Sequence, residues 1–154
     1  VKESALRIKL VLCAWGEDLT RSRALCHELG VEESIVWRPL MPKPDLIKYY
    51  NASDIVLDQF NLGAWGLTTL EAMACEKAVV LNYRKEWAEA CYLETPHVCY
   101  AATVEEIFAV LKDFVRNPQQ YRDLGRMARE WVERYHSSSV VANKHLEFYR
   151  SIVG

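Results

Sequence analysis

Apolar residues along this chain come in two arrangements. Short, mainly apolar runs of strand length recur at residues 8–13, 35–37, 55–57, 78–81 and 99–101. Between them, apolar positions recur with the three-and-four spacing of one helix face. The clearest unit spans residues 54–81, DIVLDQFNLGAWGLTTLEAMACEKAVVL. It reads as a strand, a loop holding Asn61, Gly63 and Gly66, a run of helix formers, and a second strand. Such a βαβ unit predicts parallel strands.

The flanking segments extend the same alternation. A helix over 19–29 stops at Gly30. Pro42 and Pro44 hold the segment RPLMPKPD in a loop, with a helix from near Asp45 to Tyr50 and a turn at residues 51–53. Trp87, Ala90 and Cys91 share a helical spacing. Thr103 and Glu106 form a capping box for a helix whose stripe is Ile107, Val110, Leu111 and Phe114. Further helices are expected over 119–135 and, after three serines, to residue 152. The predicted class is α/β with a mostly parallel sheet.

Composition narrows the function without naming it. The chain has 154 residues, 51% hydrophobic and 26% charged, which suits one soluble domain with its own core. A net charge of -2 argues against a nucleic-acid partner. No apolar run approaches the roughly 18 residues of a transmembrane helix. The five cysteines are odd in number and never spaced as CxxC, which fits free, partly buried thiols in a reducing cytoplasm. The histidines are scattered, so no metal site is expected.

Candidate chemistry gathers in and near the βαβ unit. Gly66, Leu67, Thr68 and Thr69 open its helix, where exposed N–H groups can hold a phosphate; plain N-capping by Thr68 is the alternative. Glu71 either completes a T-x-x-E capping box with Thr68 or faces the cleft from the first turn and accepts hydrogen bonds from vicinal hydroxyls. Asp58 and Gln59 follow the first strand of the unit, at the end where parallel sheets bind ligands. Gly16 follows the chain's first strand in the same way. Arg38 and Lys43 fit either surface charge or contacts to a diphosphate or base. Trp65 fits either the core or a cleft wall.

The combination NASDIVLDQF…GAWGLTTLEAMACEKAVV resembles the C-terminal half of glycosyltransferase family 4, retaining enzymes of the two-Rossmann-domain GT-B fold. Its pattern passes through Phe-Gly-(Leu/Ile)-x-x-x-Glu-Ala-Met-Ala-(x)-Gly and Pro-Val-Val. Trp65-Gly66-Leu67, Glu71-Ala72-Met73-Ala74-Cys75 and Val79-Val80 match it here. The resemblance implies a Rossmann-like sheet flanked by helices that binds a nucleotide-sugar donor as substrate, with no metal and no separate cofactor. Glu71 then holds the ribose, the amides of Gly66, Leu67 and Thr68 the diphosphate, and Leu40 and Met41 the base, with Gly16, Gly63 and Trp65 beside the donor.

Three departures accompany the resemblance. Gly63 stands where the family usually carries a first glutamate that touches the donor sugar, and Asp58, or Gln59 beside it, is the expected substitute, with Asp58 in the catalytic role. Glu76 and Ala78 replace the usual Gly and Pro. The family's opening strand and its Arg/Lys clamp are missing, and residues 1–6 read as the tail of the helix that follows them. The expectation is therefore a single donor-binding domain over 1–154, ending in a helix over 137–154 and lacking its first strand and the acceptor domain. Acceptor glycan, lipid or small molecule would engage that missing domain, in the cytoplasm or peripherally at a membrane. Rival readings are a non-catalytic Rossmann-like nucleotide-binding module, and an interaction domain in which Glu71 only caps its helix.

Overall fold

A computed structural model describes residues 8–153, and the chain divides into two compact units between Leu46 and Ile47. The helical reading of residues 1–6 lies outside the described residues. In the first unit, β1 (Leu10–Cys13), α1 (Leu19–Glu28) and β2 (Ile35–Arg38) form one βαβ crossover, with Leu10 opposite Ile35 and Cys13 opposite Arg38 in parallel register. Gly30 ends α1 at φ 60, its N–H on the His27 carbonyl and the Val31 N–H on the Cys26 carbonyl. These two bonds make a Schellman motif, which needs a left-handed residue and so favours glycine. No residue from 8 to 46 is fully buried.

Helix α2 (Lys43–Ala52) crosses the division between the units. It starts two residues before the expected position near Asp45. Pro44 falls in its first turn, where a missing N–H costs no helical hydrogen bond.

The second unit contains β3 (Ile55–Leu57), α3 (Leu67–Ala74), β4 (Ala78–Leu81), α4 (Lys85–Cys91), β5 (Cys99–Tyr100), α5 (Val104–Arg116), α6 (Pro118–His136) and α7 (Ser138–Val153). Its sheet has the order β3-β4-β5, every pair parallel. The strands form a parallel pair and a parallel triplet, and no strand among the described residues joins β1 and β2 to the other three. All four residues of β4 are buried, which explains its unbroken apolar run.

Helix α6 covers this sheet. It packs on α3, β4 and α5 and buries Tyr121, Gly125, Ala128, Trp131 and Val132 at helical spacing. The Trp131 ring lies T-shaped to Trp65, close to Tyr92 and Tyr135, and its indole N–H donates to the Glu94 carbonyl at 2.8 Å. That bond satisfies the one polar atom of an otherwise apolar side chain.

Gly125 sits where no other residue fits. A Cβ there would overlap the Glu76 carbonyl and stand 3.2 Å from the Ala78 nitrogen. Helix α6 thus approaches the α3–β4 turn backbone to backbone. The turn itself is a second Schellman motif, with the Glu76 N–H on the Met73 carbonyl at 2.9 Å and the Lys77 N–H on the Ala72 carbonyl at 3.0 Å. Here the left-handed residue is Glu76, at φ 60. The helix end that the departure from glycine placed in question is therefore formed, and its cost is backbone strain.

Two outcomes follow for stability. Glu76→Gly relieves a left-handed conformation worth about 1 kcal/mol or more for a non-glycine residue. It loses an ion pair to Arg129 in which both side chains are about half exposed, worth roughly 0–1 kcal/mol. The urea midpoint of Glu76→Gly should therefore rise or hold; a clear fall would mean that the ion pair outweighs the strain. His136 packs on Tyr92 and Trp131 with its Nε2 buried and unpartnered. Burial, then the charge of Lys144, pushes its pKa below the usual histidine value. The fold holds this imidazole neutral, so its contribution is complete above pH ~6.5 and is lost as pH falls through the depressed value. His136→Phe should flatten the acid limb of a stability–pH profile.

Candidate functional site

The carboxyl ends of β3 and β4 carry two loops that are tied together. Gln59 donates through its amide to the Asn82 carbonyl at 3.0 Å and accepts from the Leu62 N–H at 2.8 Å. Asn82 returns a bond to the Phe60 carbonyl at 2.7 Å, and its own N–H reaches the Gln59 carbonyl at 3.0 Å. Both polar ends of the Gln59 amide are thus engaged in holding the loop.

Gly63 lies buried in that loop at φ 71, its carbonyl accepting from the Arg84 N–H at 2.8 Å. A Cβ at this position would stand 3.3 Å from the Arg84 Cγ. A glutamate here would need both a left-handed backbone and movement of Arg84.

Helix α3 begins one turn further on. Its N-cap is Gly66, which has no side chain to cap the helix, and Thr68 is the second helical residue. This corrects two expectations. The T-x-x-E box does not form, and Glu71 lies in the second turn rather than the first. The earlier start places Thr69, Ala72 and Met73 on the buried face. Thr69 is 1% exposed and donates its hydroxyl to the Asp58 carboxylate in a short bond. An apolar residue at 69 would leave that carboxylate without this partner.

At Gly66 the backbone is extended, φ -118 and ψ -165, and a Cβ would meet nothing within 4 Å. Among the described residues, neither conformation nor packing requires glycine there. The open space lies at the helix N-terminus, where N–H groups and the helix dipole favour an anion.

Tyr50, from the last turns of α2, was not legible as a site residue. It is 6% exposed, and its hydroxyl points at the Glu71 carboxylate 3.5 Å away. Burial first, and then the negative charge of Glu71, pushes its pKa up to about 12. The phenol therefore keeps its proton at neutral pH and can donate to Glu71. Asp58, Thr69, Glu71 and Tyr50 thus form one polar cluster inside an apolar unit.

The other predicted residues are placed as follows. Leu67 and Thr68 are exposed beside Gly66, whereas Trp65 packs edge-on to Tyr83 at 5.7 Å and joins the aromatic cluster of Trp131. Gly16, in the first unit, turns the chain after β1 at φ 105. In the same unit Leu40 is exposed and Met41 half-buried. The cysteines are free, and burial pushes the Cys99 thiol up to about 11, too high for a nucleophile at neutral pH. Among the described residues no three metal-ligating side chains converge, and no helix is long and apolar enough to cross a membrane.

Comparison with known proteins identifies the family and the fold. The profile of "Glycosyl transferases group 1" matches residues 1–131. A D-inositol 3-phosphate glycosyltransferase of Acidothermus cellulolyticus is 35% identical over 60 residues, 39% of this chain and 13% of the relative. Its counterpart in Corynebacterium jeikeium is 33% identical over 79 residues, 48% of this chain and 19% of the relative. The chain thus spans less than a fifth of the length of either. A sucrose-phosphate synthase from Thermosynechococcus elongatus superposes with a TM-score of 0.76 over 94% of this chain and 38% of its own, at 17% identity, which speaks for the fold. With that profile matching residues 1–131 of 154, the chain belongs to the group 1 glycosyl transferases.

Proposed function

We propose that this chain is the donor-binding part of a retaining glycosyltransferase and that it takes a nucleoside diphosphate sugar at the N-terminus of α3. The observation that carries the reading is Gly66. It caps a helix without a side chain, and among the described residues nothing occupies the space beside it. A diphosphate there meets main-chain N–H donors that need no reorganisation as negative charge grows on the leaving group.

Glu71 accepts the ribose hydroxyls in this reading, held in place by Tyr50. Asp58 faces the donor sugar, its orientation fixed by Thr69. Gln59 is less suited to that contact because its amide already braces the loop. Roles for Gly16 at the diphosphate and for Leu40 and Met41 at the base rest on the family pattern alone. No side chain acts as a nucleophile, and the residues by themselves bind donor and transfer nothing.

A second reading, a nucleotide-binding module without transfer, is favoured by one observation. Gly63 stands where the family usually carries the sugar-contacting glutamate, at a left-handed φ of 71 beside Arg84.

Titration with UDP, GDP and ADP and their sugar conjugates tests both. One nucleotide should bind, and Glu71→Gln should weaken it about tenfold or more while the melting curve survives, because a charged acceptor becomes a neutral one. Undiminished binding would remove Glu71 from the ribose. Thr69→Val should cost about 1 kcal/mol of stability, since it strips a half-buried carboxylate of a donor. It should also weaken the sugar conjugate more than the bare nucleotide. Equal losses for the two ligands would detach Asp58 from the sugar and favour the second reading.

A further inference from the structure

A second cluster of charge lies at the opposite end of α3. Arg122, Arg126 and Arg129 recur along α6 at helical spacing and, with Lys77, line an open groove of about 760 Å3. Asn51, Gln119 and Cys75 complete its polar wall, and Glu76 is the only carboxylate in the lining. Four cations against one anion would repel one another unless solvated or neutralised.

Their present partners are weak. Arg126 pairs with Asp123 on its own helix, and Arg129 with Glu133 at 2.8 Å and Glu76 at 3.2 Å. Every side chain in these pairs is between 46% and 60% exposed, so the pairs are readily exchanged. The ammonium of Lys77 donates to the Asn51 carbonyl at 3.0 Å, which keeps it at the groove. Arg122 makes no ion pair among the described residues. The helix C-terminus beside the groove opposes an anion, but the Schellman bonds already occupy the Ala72 and Met73 carbonyls.

We propose that this groove is a second anion site, one that takes a ligand bearing a di- or polyphosphate group. Guanidinium forks match phosphate oxygens in pairs, and several within one groove suit more than one phosphate. Glu76 serves as the internal competitor, since it holds on Arg129 the place a phosphate oxygen would take. Helix α3 has eight residues, about 12 Å, which separates this site from Gly66. The proposal stands whether or not the donor reading does.

Residue-resolved NMR with pyrophosphate as the probe separates the two ends. Millimolar pyrophosphate should shift the amides of Lys77, Arg122 and Arg126 independently of any change at Gly66, and less so as salt rises. The double variant Arg122→Gln with Arg126→Gln should weaken binding in the groove about tenfold or more. Glu76→Gln should do the opposite and tighten it, an outcome no unfolding artefact can produce. Co-sedimentation with phosphatidylcholine vesicles, with and without a phosphorylated phosphoinositide, identifies the source. Capture only by the phosphorylated vesicles assigns a lipid headgroup, and pyrophosphate binding without capture assigns a soluble phosphate ester. No shift in the groove at millimolar pyrophosphate, or an affinity indifferent to both substitutions, overturns the proposal.

Discussion

The contact on which the second unit depends is the one between Gly125 and the Glu76 carbonyl. Because no Cβ intervenes, α6 lies directly on the α3–β4 turn, and Trp131 and Val132 further along the helix reach the interior. That depth seals Met73 and all of β4 from water. Burial of such side chains contributes roughly 1.5–3 kcal/mol each. It holds α3 firmly enough for its other end to remain open without a side-chain cap. The turn accepts a strained glutamate where glycine would relax it, which shows how strongly the surrounding packing dictates the backbone there.

Much of this architecture was legible in the sequence because its signals are local. Ala78–Leu81 reads as a buried strand from its own residues, and Thr103 with Glu106 forms the capping box its spacing requires. The start of α3 was not legible in the same way. T-x-x-E allows a cap at Thr68, yet the helix begins at Leu67, because only then does Thr69 turn inward to Asp58 while Met73 turns to the core. Tertiary contact chose between two locally acceptable starts. Tyr50 stayed hidden for a related reason. It lies 21 residues from Glu71 in the chain, and nothing in KYYNAS states that one of two adjacent tyrosines will face a carboxylate.

The polar cluster pairs each of two acidic residues with a hydroxyl donor within an apolar unit. Thr69 supplies a donor to Asp58 and Tyr50 one to Glu71, and both donors stay protonated at neutral pH. The loop after Asp58 is secured separately, by Gln59 and Asn82. The arginines on α6 could be taken from the sequence for an ordinary solvated face. Only their convergence with Lys77 on one groove sets them apart.

Helix α6 also sets an order on the making of this protein. The residues it joins to the α3 turn are far apart in the chain; Glu76 and Arg129 are separated by 53 positions. A chain emerging from the ribosome displays Met73, Val79, Val80 and Leu81 well before the helix that covers them exists. Non-local closure of this kind is slow, and the half-made β3-α3-β4 segment presents a short, fully apolar strand to its neighbours in the meantime. Truncation anywhere before Trp131 leaves that strand permanently uncovered. The interval between the completion of β4 and the completion of α6 is therefore the one in which the growing chain leaves this apolar strand uncovered.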